Sequence, residues 1–345
     1  MIAGRAAIQQ TARIAGLALV LAAAARPQAA PPVAAPAAVR QAQQLLNAGH
    51  PTQAVRQLRA YLLRHPASAL ARFQLGYALF RRIQLQARTA NPRMPLYRPL
   101  AAEPVAERTA VMRWARASLA QFTAGAKYAR PTAFDLQIVA LDYVLLGDEV
   151  DAAKWLQVAV QWEPGNAHDW YLLGRVRYVQ NRFPQAAAAF RKSLRLQPLN
   201  PLALDNLGLA EEAMDHPRHA AAAYRRAIAS EARSGQRNPA PAIDLGRLLL
   251  TQNQPAAAAT ALRRAVAMRS NVGRAHRLLG QVYLRLRQFS RAARQLKAAE
   301  RLDPASPTPH YLLAMLYRAQ GQPARARRQL QIFSALRRAR AGRRK

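Results

Sequence analysis

The sequence predicts an all-α protein built as an array of stacked antiparallel helix pairs. Three observations predict it. The 345-residue chain holds 78 alanines against 15 glycines, and alanine, leucine, arginine and glutamine enter helices at little entropic cost. A set of small, bulky and proline residues recurs in one phase at a period of 34. The chain is also too long for one comfortable core, and suits two ordinary domains or one elongated array.

Taken in order, residues 1–25 read as an export signal. Arg5 and Arg13 give a positive start, and Ile14–Ala25 is a short apolar run ending in small residues. That run is too short to span a bilayer as a helix, which needs roughly twenty residues. Cleavage is expected near Ala25, with a Pro/Ala linker over 26–37 and the array over 38–340. The expected location is therefore exported, periplasmic or otherwise associated with the cell envelope.

The array is read from its register. Trp170, Leu173, Gly174, Ala186, Phe190 and Pro198 recur as Leu204, Leu207, Gly208, Ala220, Tyr224 and Ala227. The phase resumes at Leu245-Gly246 with Ala258 and Leu262, continues at Leu279-Gly280 with Ala292, Leu296 and Pro304, and ends at Leu313-Ala314 with Ala326 and Leu330. Upstream it appears as Ala140, Tyr143, Ala152, Leu156 and Pro164, and as Ala54, Leu58, Tyr61 and Pro66 followed by Leu75-Gly76. Each unit reads as two helices joined by a short polar turn. A small residue lets the pair approach closely, a bulky one fills the space beside it, and proline ends the second helix. Residues 81–103 replace the expected second helix with a basic, proline-containing loop, after which a helix over roughly 105–128 restores the pattern. A second, four-residue insertion falls within 230–241.

This register resembles the tetratricopeptide repeat family over 38–340. The resemblance implies a right-handed solenoid of about eight or nine units, whose concave face is lined by the first helix of each pair. Carried over position by position, the family's groove falls on Phe73 and Tyr77, then on Tyr171, Arg175, Tyr178, Asn206 and Arg247. It continues through Arg274, Arg277, Gln281, Arg285, Tyr311 and Arg318. The groove is thus expected to begin aromatic and end rich in arginine. Of the family's carboxylate clamp only Asn206 has a matching position, so the clamp is not carried over.

The charge is uneven. The chain has 52 basic and 17 acidic residues, and only five of the basic ones are lysine. Residues 261–345 carry 21 cations and two acids, Glu300 and Asp303, and 341–345 form a basic tail. Arginine so favoured over lysine, alongside abundant alanine, fits coding preference as well as function. No aromatic–basic interleaving of the kind that stacks single strands is present, which disfavours nucleic acid.

Catalysis is not expected. There is no cysteine, which excludes thiolate metal sites and thiol nucleophiles, and no phosphate loop, Gly-x-Ser-x-Gly or His-Glu-x-x-His run. His276 and His310 fall at the packing position held by Trp170. His216 and His219 share a turn with Asp215, which is too little for a metal site, so no metal and no cofactor are expected. The functional expectation is a non-catalytic scaffold whose groove takes a protein or peptide, with an acidic segment suited to the arginines. Two alternatives stand beside it: an electrostatic tether from the arginine-rich C-terminal region to anionic membrane or polymer, and an accessory subunit of an envelope polysaccharide complex.

Overall fold

The computed structural model describes residues 35–90, 105–235 and 237–342. The expected signal, most of the linker and the last three residues of the basic tail lie outside them. Among the described residues there are sixteen helices and no strand. Within each of two compact units, residues 1–182 and 183–345, every helix packs on its neighbour in sequence.

The first unit holds α1 (Ala37–Asn47), α2 (Pro51–Arg64), α3 (Ala69–Ala90), α4 (Val105–Gly125), α5 (Ala133–Leu146), α6 (Glu149–Trp162) and α7 (Ala167–Val179). Its start is sealed by Val39, Leu46, Val55, Leu58, Leu75 and Leu79, all buried. Gly76 of α3 faces Phe122 of α4 so closely that a Cβ there would lie 2.7 Å from the ring. Ser118 Oγ donates to the Gly76 carbonyl at 3.0 Å across the same contact. α5 starts on a capping box, in which Thr132 Oγ1 accepts from the Asp135 amide and the Asp135 carboxylate accepts from the Thr132 amide. α3 runs through Ala90, so the first ten residues of the expected 81–103 loop are helix. Residues 81–90 contain no glycine or proline, so nothing in that stretch stops the helix. Residues 91–104 lie outside the described residues.

The second unit holds α8 (Phe183–Leu196), α9 (Pro201–Ala213), α10 (Pro217–Ser234), α11 (Ala240–Thr251), α12 (Pro255–Met268), α13 (Gly273–Arg285), α14 (Phe289–Leu302), α15 (Thr308–Ala319) and α16 (Pro323–Gly342). Its pairs repeat one contact. A Cβ on Gly208 would lie 2.5 Å from Tyr224, one on Gly246 2.5 Å from Leu262, and one on Gly280 2.6 Å from Leu296. Glycine here is a device for close helix approach, and the buried bulky partner fills the room it leaves. The four extra residues within 230–241 are absorbed largely as helix. α10 has 18 residues where α8, α12 and α14 have 14 each, which is one additional turn.

The turns inside the pairs share one geometry. Gly147, Asn181, Asp215, Asn253, Arg287 and Gly321 all have positive φ. In every case the next amide reaches back five residues, as Asp148 to Tyr143, His216 to Glu211, and Gln288 to Tyr283 do at 2.8–2.9 Å. That is the Schellman ending of a helix, with the left-handed residue just past its last turn.

Candidate partner-binding face

In the second unit the first helices α11, α13 and α15 touch one another in sequence, and no two second helices there meet as extensively. The first helices therefore occupy the tighter side of the stack. On that side α9, α11 and α13 carry a charged cluster. Asp205 and Glu212 share one face of α9, Asp244 and Arg247 sit one turn apart on α11, and Arg274 and Arg277 one turn apart on α13. Arg247 grips Glu212 as a fork, Nη1 to Oε1 and Nη2 to Oε2, both at 2.6 Å. Arg274 Nη2 donates to Asp244 Oδ1 at 2.8 Å, and Arg247 Nε stands 3.8 Å from the same oxygen. The Tyr224 hydroxyl, otherwise fully enclosed, donates to Glu212 Oε2 at 3.1 Å. The ring that packs on Gly208 thus also steadies the fork.

Burial shapes the protonation of this cluster. Asp205 is buried, and its Oδ1 has no hydrogen-bond partner among the described residues. Desolvation first, then the neighbouring Asp244 and Glu231, push its carboxyl up to about 8. Desolvation also raises Asp244, against the pull of Arg274 and Arg247. Arg277 is half-buried and has no acidic partner among the described residues. Desolvation, with Arg274 beside it, lowers its pKa from the usual guanidinium value. Arg274 and Arg277 line a pocket of about 340 Å³ with Gly273, Ala299, Asp303, Ser306, Thr308 and Pro309. Two cations, two hydroxyls and a single carboxylate give the pocket a donor-rich wall.

The other expected groove residues have mixed placements. Phe73 and Tyr171, in the first unit, are each only 7% exposed. Phe73 lies against Phe122 and Gly125, and the Arg175 guanidinium sits 5.8 Å from the Tyr171 ring centre. These two rings are largely enclosed by their packing neighbours. Tyr77 pairs edge-on with the half-exposed Phe134, and Tyr178 is half-buried. In the second unit Asn206 turns its amide back to the Leu202 carbonyl at 2.8 Å. Arg285 donates to the Leu250 carbonyl at 2.9 Å, where it caps the end of α11. Gln281 is half-buried, Arg318 is exposed, and Tyr311 is 44% exposed and leans on Phe333. His276 and His310 are buried in packing positions, each bonded through Nδ1 to a glutamine, Gln295 and Gln329, two 34-residue equivalents.

Sequence reasoning missed two partnerships. It did not pair Arg247 with Glu212 or Arg274 with Asp244, because those contacts span 30–35 residues between neighbouring repeats. It also offered Asp215 as companion to His216 and His219, whereas the carboxylate reaching both rings is Glu211. The helical spacing of Glu211 ahead of the turn was the signal that could have found it.

The fold and this face define a class, an α-helical repeat scaffold whose first helices present a polar surface. The particular family follows from comparison with known proteins. Residues 39–87 and 243–307 match one family model for the tetratricopeptide repeat, and residues 167–200 match a second. Over these segments the chain consists of tetratricopeptide repeats. Among solved structures it resembles the C-terminal part of a TPR repeat-containing protein from Cytophaga hutchinsonii, at 13% identity over 79% of this chain and 97% of that one, with a TM-score of 0.55. It also resembles PilW, a type IV pilus biogenesis factor, at 18% identity over 59% of this chain and 92% of that one, with a TM-score of 0.52. These likenesses are of fold. No curated protein sequence matches the chain.

Proposed function

We propose that the protein is a scaffold whose second unit binds an acidic peptide segment of a protein partner on the first-helix face, around Arg277. The repeat class supports a protein–protein interaction role. The single observation that carries the finer reading is Arg277 itself: a half-buried guanidinium, lining a pocket, with no acidic partner among the described residues. A partly desolvated cation is costly until an anion meets it, and a carboxylate accepts its fork with two hydrogen bonds. Arg318, Gln281 and the exposed Tyr311 extend the same face toward the end of the array. Capture of partners from cell extract by the full chain, compared with Arg277→Glu and Arg318→Glu, tests the reading. The charge reversals should weaken capture of an acidic partner by about 10- to 100-fold, and an unchanged set of captured proteins rejects it. An envelope setting accompanies the proposal, supported by the signal-like N-terminal residues. The mass of the mature chain from an extracytoplasmic fraction checks that part.

A second reading is favoured by α16. Ala326 is its buried residue, while Arg327, Arg328, Arg337, Arg338 and Arg340 are exposed. Under this reading the helix and the tail tether the array to an anionic surface. Deleting Arg337–Lys345 should then abolish most binding to anionic vesicles and flatten its salt dependence, whereas the groove reading leaves partner capture untouched by that deletion.

A further inference from the structure

We infer that Glu211, His216 and His219 form a binding site for a divalent transition metal of the zinc class, at the turn joining α9 to α10. Each of the three offers one ligand atom, and these atoms all lie within 4.8 Å of one another. His216 Nδ1 stands 3.1 Å and His219 Nδ1 3.8 Å from the same carboxylate oxygen, Glu211 Oε2. Zinc holds nitrogen and oxygen at about 2.0–2.1 Å, so adjacent ligands on its tetrahedron stand about 3.3 Å apart. The two observed separations bracket that value. Small rotations of exposed rings bring all three atoms to one ion.

The local fold explains why the three meet. Glu211 lies in the last turn of α9, and the left-handed Asp215 reverses the chain directly after it. The His216 amide then donates back to the Glu211 carbonyl at 2.9 Å, which places His216 beside the Glu211 side chain. His216 precedes α10 without using its ring as a cap, and His219 lies three residues on, over the same turn. The rings stand nearly perpendicular, 5.7 Å between centres. They converge on the carboxylate and do not stack on each other.

The supporting contacts suit a ligand set. Arg191 on α8 binds the other carboxylate oxygen, Oε1. It fixes the orientation of Glu211 and leaves Oε2 to the metal, as outer partners of metal carboxylates commonly do. The Glu211 side chain is 3% exposed, and those of His216 and His219 are 51% and 74% exposed. The site thus has one rigid anionic anchor and two accessible imidazoles. Three protein ligands leave a fourth position on the solvent side for water. Two nitrogens and one carboxylate select zinc, nickel or copper over magnesium or calcium, which prefer sets made of oxygen alone.

The experiment is calorimetric titration of Zn²⁺ into the full, untagged, chelator-treated chain, with Mg²⁺ as comparison. One saturable zinc site is expected, with no magnesium response. Each of His216→Ala and His219→Ala should weaken it at least about tenfold, and the double variant should abolish it. His50→Ala, an exposed histidine elsewhere, should leave it intact. Both cluster histidines are exposed, so circular dichroism should show unchanged helix content. Binding of Co²⁺ should add the visible absorption of a tetrahedral site in the wild type alone. Absence of a saturable site, or its survival in the double variant, overturns the inference.

Discussion

At the scale of single residues, the close-approach glycines and the buried acids determine most of what a substitution will do. Gly208 has no room for a methyl group, because the ring it would strike, Tyr224, is fully buried. Gly208→Ala should destabilise the protein by about 1–3 kcal/mol through forced repacking. Gly165→Ala, where a Cβ meets nothing within 4 Å, should stay within about 0.5 kcal/mol. Denaturant midpoints of the two variants check the contrast. Asp205 gives a prediction in pH. Its folded pKa of about 8 lies above the ordinary 3.8, so the native state holds a proton that the unfolded state releases. Stability therefore falls as pH rises from about 4 to about 8, by up to about 1.4 kcal/mol per unit. Asp205→Asn removes that proton, and its stability should fall less steeply over the same range in urea melts.

Elements are governed by their ends. Thr132 and Asp135 satisfy each other's amides at the start of α5, so Thr132→Ala should cost about 1 kcal/mol in thermal unfolding and Thr132→Ser should restore it. Helix ends were also where the sequence was legible. Proline at the second position past α2, α6, α8 and α14, namely Pro66, Pro164, Pro198 and Pro304, marks each end correctly. The extent of α3 and the extra turn of α10 were less legible. Both depend on where a helix stops when no breaker forces it, and tertiary packing decides that. The left-handed residue of each turn shows the same division. Gly147, Gly321, Asn181 and Asn253 suit that backbone, whereas Arg287 has no intrinsic preference for it and is held there by the repeat.

Across the whole molecule, the surplus of arginine acquires a structural account. Arg82 covers Trp114 at 4.3 Å, and Arg130 covers Trp162 at 4.0 Å. Arg291 on Tyr283 and Arg325 on Tyr317 are one contact repeated 34 residues apart, each arginine also donating to a glutamine three residues before it. A planar guanidinium can stack on a ring and keep its edge donors in use, which an ammonium cannot match. The repeat and the fold class were readable because they are periodic. The charged cluster was only half readable, because sequence shows which faces carry Asp205, Asp244 and Arg274 but not which neighbour each meets. The apolar core of the second unit runs through α15, where Leu312, Leu313 and Leu316 join Leu278, Leu279 and Val282 of α13. A chain ending at Asp303 uncovers that seam. It should lose helix from the new terminus, with a lower melting temperature and a smaller denaturant m-value than the full chain.

The uniform turns and neighbour-only contacts of the second unit have a mechanical meaning. Under tension applied at its two ends, such a stack has no long-range tie that must break before all others, so it should yield as a series of small ruptures. A freed repeat of 34 residues has a contour of about 110–120 Å. The repeat that includes the extra turn of α10 should release about 14 Å more. A single-molecule extension trace would then carry one odd step among near-equal ones, and its place in the order would report which end of the stack lets go first.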